Sequence, residues 1–164
     1  MGMVSAFGFA QNAVPVKNQA GIEAIGNMVL DARYLNSVQA GMTPNVVKQL
    51  ENLVSVWDVT QHELFDGRPG DLFHITFKSE QGAITALYDD EGQLIMALER
   101  FKDVALPYAV SSSIVEEYPE WEIVKNRYSV RYQFNDESRK VLKVLIRKGN
   151  QRQWLKIGPS GIIS

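Results

Sequence analysis

"LPYAVSSSIVEEYPEWEIVKNRYSVRYQF", residues 106–134, decides how this chain folds. After the Leu106–Pro107 pair, Val110, Ile114 and Tyr118 fall on one side at helical spacing, so a helix is expected to about Tyr118. Pro119 and Trp121 close it, and the alternating run that follows reads as a strand. The same layout stands earlier, in "MTPNVVKQLENLVSVWDVTQHELF", residues 42–65. There Thr43 can cap, Pro44 suits the first helical position, and Val46, Val47, Leu50, Leu53 and Val54 form an apolar stripe. Trp57 leaves this helix as Trp121 leaves the other, 64 residues later.

The flanking segments are expected to be strands. "MVLDARYLNSV" (28–38) precedes the first helix, and "VTQHELF" (59–65) follows it. "LFHITFK" sets Phe73, Ile75 and Phe77 against His74, Thr76 and Lys78, the alternation of a half-buried strand. The turn formers "DGRPGD", "EQG" and "DDEG" separate this strand from its neighbours, "AITALY" and "QLIMALERF". Phe73, Ile75 and Phe77 match Leu142, Val144 and Ile146 at an offset of 69, as "DEGQLI" matches "PSGIIS". Five residues are therefore added in the second copy within "NRYSVRYQFNDESRK", which predicts a longer first hairpin.

The fold class expected is α+β: two tandem units of strand, helix and three antiparallel strands, each helix packed on an antiparallel sheet. Residues 28–92 form the first unit, 93–164 the second, and 11–27 a linker. One helix on so small a sheet buries little core, and pairing two units is the physical gain from duplication.

The 164-residue chain is 45% apolar and 22% charged, the composition of a folded protein, and its net charge of −2 gives no global field to recruit nucleic acid. The charge is divided unevenly. Residues 1–105 carry 7 Lys and Arg against 13 Asp and Glu, and residues 106–164 carry 10 against 6, which predicts a polarised surface. The opening "MGMVSAFGFAQNAVPVK" is apolar, with small residues at the −3 and −1 places before Gln11. We read residues 1–10 as the tail of a secretory signal, which implies an exported chain. With no cysteine, disulfides and thiolate chemistry are excluded. No segment has the apolar length of a membrane span, so the chain is not expected to be membrane-embedded.

The LP–helix–"YPEW"–Tyr-rich strand order, "RKVLKVLIRKGNQRQWLKI" and the "YDDEG" turn resemble the β-lactamase-inhibitor-like, PepSY-like family of exported bacterial proteins. The resemblance covers residues 28–164 and implies two helix-on-sheet units in a periplasmic or secreted protein, usually without assigned activity. Some similar sequences carry a nicotinate-nucleotide adenylyltransferase label. That activity needs an H-x-G-H type motif, whereas His62 and His74 stand in "QHE" and "FHI", and "DGRPGD" has neither Walker nor dinucleotide spacing.

No catalytic constellation is expected. The two histidines with Glu63 lack the spacing of a zinc site, and the Asp89–Asp90–Glu91 turn lacks the ligand alternation of an EF-hand. Ser111, Ser112 and Ser113 have no histidine near them in sequence to activate them. No cofactor is implied. Trp57 and Trp121, at equivalent helix exits, are expected to pack helix onto sheet. In the second unit, alternation turns Tyr128, Val130, Tyr132, Phe134, Leu142, Val144, Ile146, Leu155 and Ile157 toward the helix. It sends Arg127, Arg131, Lys143, Leu145, Arg147, Arg152, Trp154 and Lys156 outward. A Trp among cations suits recognition of an acidic protein or a glycan, and Arg131, Lys143, Arg147, Arg152, Trp154 and Lys156 are the candidate binding residues. The competing expectation is a plain solvated face whose Lys and Arg stems shield the ring. The function expected is a non-enzymatic, exported binding or inhibitor-like module for a protein or envelope component. The alternative is an assembly protein that closes a homodimer through the same face.

Overall fold

The computed structural model describes residues 12–15, 30–39 and 43–158. Seven strands lie in one open sheet in the order of the chain: β1 (Asn12–Pro15), β2 (Phe73–Lys78), β3 (Gly82–Tyr88), β4 (Leu94–Lys102), β5 (Glu122–Gln133), β6 (Arg139–Lys148) and β7 (Gln151–Ile157). All pairings are antiparallel except β1 with β2. Among the described residues there are three α-helices, α1 (Ala32–Val38), α2 (Asn45–Ser55) and α3 (Tyr108–Glu117). α2 with β2–β4 and α3 with β5–β7 are two tandem units of a helix and a three-stranded antiparallel sheet, as the α+β expectation required.

The core follows from strand parity. Ile75 and Phe77, Ile84 and Ala86, Ala97 and Phe101, Tyr128 and Val130, Val144 and Ile146, and Leu155 and Ile157 are all buried in one cluster. Val47, Leu50 and Val54 of α2 and Val110 and Ile114 of α3 belong to it as well. Trp57 and Trp121 pack against its margin, Trp57 edge-on to Phe77 at 5.5 Å between ring centroids. The two units therefore share one apolar interior, which gives the duplicated sequence a core that neither half could bury alone.

Several expectations are corrected. Residues 28–38 were expected as a strand, but Ala32–Val38 is a helix: Asp31 accepts a hydrogen bond from the Tyr34 amide at 3.0 Å, and Tyr34 and Val38, one turn apart, are both buried. Nor is 59–65 a strand. The Asp58 carboxylate accepts from Thr60 N (3.0 Å) and Oγ1 (2.6 Å), and this local bonding holds a short 3₁₀ turn at Val59–Gln61. Thr43 does not cap α2; Pro44 takes the cap position, and Thr43 Oγ1 instead donates to Val38 O at 3.4 Å. Within the expected linker, Asn12–Pro15 forms the parallel edge strand β1. The remaining expected linker and signal residues, and "PSGIIS", lie outside the described residues or reach beyond them.

The two sheets expected are one. β4 pairs with β5 from Met96↔Gln133 to Lys102↔Arg127, so neither unit keeps an unpaired inner edge. The offset of 69 also misaligns the units, because it equates β2, the first strand after α2, with β6, the second strand after α3. The longer first hairpin is present nonetheless: β5 and β6 run 12 and 10 residues against 6 and 7 for β2 and β3.

Asn126 secures the passage between units. Its side chain accepts from Val104 N (3.1 Å) and donates to Val104 O (2.8 Å), and its amide donates to Asp103 Oδ1 (3.1 Å).

Candidate functional site

On the strands after α3, residues that alternate with the core emerge on the face away from the helices. Arg127, Arg131, Lys143, Arg147, Arg152, Trp154 and Lys156 are exposed there, and Leu145 is the exception at 6%. Leu145 stands outside the helix-side cluster, in register between Lys125 and Trp154, where long stems cover apolar surface.

Register sorts these side chains into rows across the strands. Lys102 of β4 pairs with Arg127, Arg127 with Lys143, and Lys143 with Lys156. Four cations thus stand side by side on four adjacent strands. Trp154, 42% exposed, occupies the neighbouring row; the Lys125 Nζ lies 5.9 Å and the Arg127 Cζ 5.4 Å from its ring centroid. Both approaches are cation–π contacts, so the ring holds two cations upright. Arg147 faces Arg152 across β6 and β7 and meets Glu122 at 2.7 Å. That pair is exposed, and such pairs are worth about 0–1 kcal/mol, so Arg147 is readily released to another anion. Arg131 stands between Leu98 and Arg139. Of the residues that complete this surface, Lys102 and Lys125 escaped the sequence reading, although Lys102 alternates visibly with Phe101 and Glu99.

The corresponding face of the first unit carries fewer cations, Lys78 and Arg100, which stand in one row through Ala83. Thr76 and Thr85 bond through their hydroxyls at 3.3 Å, in the row that continues to Leu98.

A second cluster lies inside the core, unannounced by any motif. Glu51 of α2 is 0% exposed and Glu99 of β4 is 1% exposed. Tyr34 Oη donates to Glu99 Oε1 at 2.8 Å, and Glu51 and Glu99 face each other so that a proton on one carboxyl can bond the other. Burial, then the Glu51 charge, pushes the Glu99 carboxyl up to about 9. Burial raises Glu51 as well, and it lowers the partly buried Lys140 ammonium against the pull of both carboxyls. The pair can take up and release protons, but it is sealed from solvent. Glu51 sits within the α2 stripe beside Leu50, and Glu99 shares parity with Ala97 and Phe101; those positions were the available signal.

The other sequence candidates serve the fold. Asp89 Oδ1 accepts from Glu91 N (3.1 Å) and Gln93 N (2.8 Å), and Asp90 Oδ2 from Gly70 N (2.7 Å). Ser111 and Ser113 donate to helix carbonyls at 3.0 and 2.8 Å. His62 Nδ1 accepts from Leu64 N at 3.3 Å, and His74 lies within β2. Among the described residues no group of three or more His, Cys, Asp or Glu could hold a metal ion, and no helix is long and apolar enough to cross a membrane. No protein-family model, curated protein or solved structure matches this chain.

Proposed function

We propose that the chain is a non-enzymatic binding module that holds an anionic protein or envelope component on the face of β4–β7 away from α1–α3. One observation carries the reading: a row of four cations, flanked by a cation-held Trp154, on a face that no helix among the described residues covers. Export to the periplasm or beyond, in the manner of the inhibitor-like proteins that the sequence resembles, belongs to the same proposal.

Electrostatic complementarity of this kind favours specificity and fast association. It also weighs against a homodimer closed through the same face, since two-fold pairing would set cations against cations. The test is capture from an envelope extract by wild type and by the R127A/K143A/W154A variant, with a thermal melt to show that the variant folds. Loss of one salt-sensitive partner in the variant supports the proposal. Undiminished capture removes this surface from consideration, and a stable dimer in dilute solution with Trp154 shielded from quenchers favours assembly instead.

A further inference from the structure

We infer that the face of β4–β7 away from α1–α3 rests peripherally on a bilayer surface rich in anionic phosphate headgroups. The inference depends on the reading of this face as a binding surface, and it names the occupant.

The first observation is where the charge stands. The seven strands carry two carboxylates, Glu99 and Glu122. Glu99 is buried on the core side, and Glu122 is bonded to Arg147. On the outward face, exposed cations stand two deep on three adjacent strands: Arg100 and Lys102 on β4, Arg127 and Arg131 on β5, Lys143 and Arg147 on β6. Arg127 faces Lys143, so the run from Arg131 to Arg127 is continued by the run from Lys143 to Arg147. At about 3.4 Å per residue and about 4.8 Å between strands, this patch is about 27 Å long and about 10 Å wide. Cations spread over an area match an area of anions, whereas a linear polyanion would meet one line of them. The whole chain has a net charge of −2, so attraction to an anionic surface has to come from this face and not from the total.

The second observation is apolar. Leu98 and Trp154 are exposed on the same face, Leu98 in register with Arg131 and Trp154 between Lys125 and Arg127. Trp favours the headgroup level of a membrane, where part of the ring meets apolar chains and part meets water. Lys and Arg suit the same level, because their apolar stems lie along it while the charged ends reach phosphate. Those stems also even out the twist of the sheet. An acidic protein surface would satisfy the cations but not Leu98 and Trp154; a leaflet satisfies both.

The experiment sediments the full chain with vesicles, one set of phosphatidylcholine alone and one with equimolar phosphatidylglycerol. The anionic vesicles are expected to take up the chain at least about tenfold more strongly, and the preference should shrink as salt is added. Each cation near such a surface contributes about fivefold, so R127A/K143A should lose at least about tenfold. The charge-matched variant R33A/K48A, altered on α1 and α2, should bind as wild type does. Thermal melts show that both variants fold. Lipids brominated in their acyl chains should quench wild-type fluorescence more than that of W154F. Equal uptake by the two vesicle sets, equal losses in the two double variants, or equal quenching with W154F each overturn the inference. Release of the chain by soluble glycerol phosphate at matched phosphate concentration also overturns it and names a free phosphate ligand. An acidic peptide and a sulfated polysaccharide, titrated by anisotropy, are the rival anions. Binding of either without uptake by anionic vesicles overturns the bilayer and leaves the proposed function standing. If no vesicle and neither rival binds, the proposed function falls with the inference.

Discussion

Replacing Glu99 with Gln should stabilise this protein at alkaline pH and remove much of its pH dependence. Glu99 is buried, and its carboxyl is pushed up to about 9 by burial and by the neighbouring Glu51. In the unfolded chain the same group titrates near 4.3. Because the folded value is raised, the stabilising effect of the protonated form is complete below about 4.3 and is lost as the pH rises through about 9. Between those limits folding takes up one proton at Glu99, a slope of about 1.4 kcal/mol per pH unit. Moving from about pH 8 to pH 6 should therefore add on the order of 3 kcal/mol. For a chain of this length that is a melting-temperature gain of roughly 5–11 °C. E99Q keeps an acceptor oxygen for the Tyr34 hydroxyl, and its amide supplies a donor toward Glu51. At pH 8 it avoids an ionisation mismatch of up to about 4–5 kcal/mol, and below about pH 4.5 its advantage should vanish. Urea denaturation of both proteins across this range reads the difference, which includes the altered titration of the neighbouring Glu51. A wild-type midpoint that does not move between pH 8 and pH 6, or an E99Q profile as steep as the wild type's, would refute the reasoning.

Two further outcomes follow from the same packing. Tyr34→Phe strips the hydroxyl donor from Glu99 Oε1 within the core and should cost about 1–3 kcal/mol of unfolding free energy, measured by denaturant titration at neutral pH. Gly92→Ala places a Cβ 2.7 Å from Thr60 Cγ2 at a backbone φ of +81°, so a loss of about 1–3 kcal/mol is expected; a melting temperature equal to wild type would show that the turn relaxes freely.

Elements with a one-sided apolar pattern were legible. α2, α3 and strands β2 to β7 lie close to where periodicity put them, because each buries one face and exposes the other. Segments 28–38 and 59–65 were misread for a shared reason. They are short, and a single carboxylate, Asp31 or Asp58, bonded to nearby backbone, outweighs a weak alternation. The candidate surface was half visible: parity sent Arg127, Arg131, Lys143, Arg147, Arg152, Trp154 and Lys156 outward, and they are outward. Parity could not say which of them are neighbours. Lys102 joined the row only when β4 was found beside β5.

By itself, then, the sequence determined the α+β class, the duplication and the side of each strand that meets the core. Those properties depend on residues two to four positions apart, whose spacing is fixed by local geometry. Tertiary structure alone decided that the units share one sheet, that four cations align, and that Glu51 meets Glu99. Backbone hydrogen-bonding groups are chemically alike in every strand, so register and adjacency are set by how the whole core packs, and no local stretch encodes them.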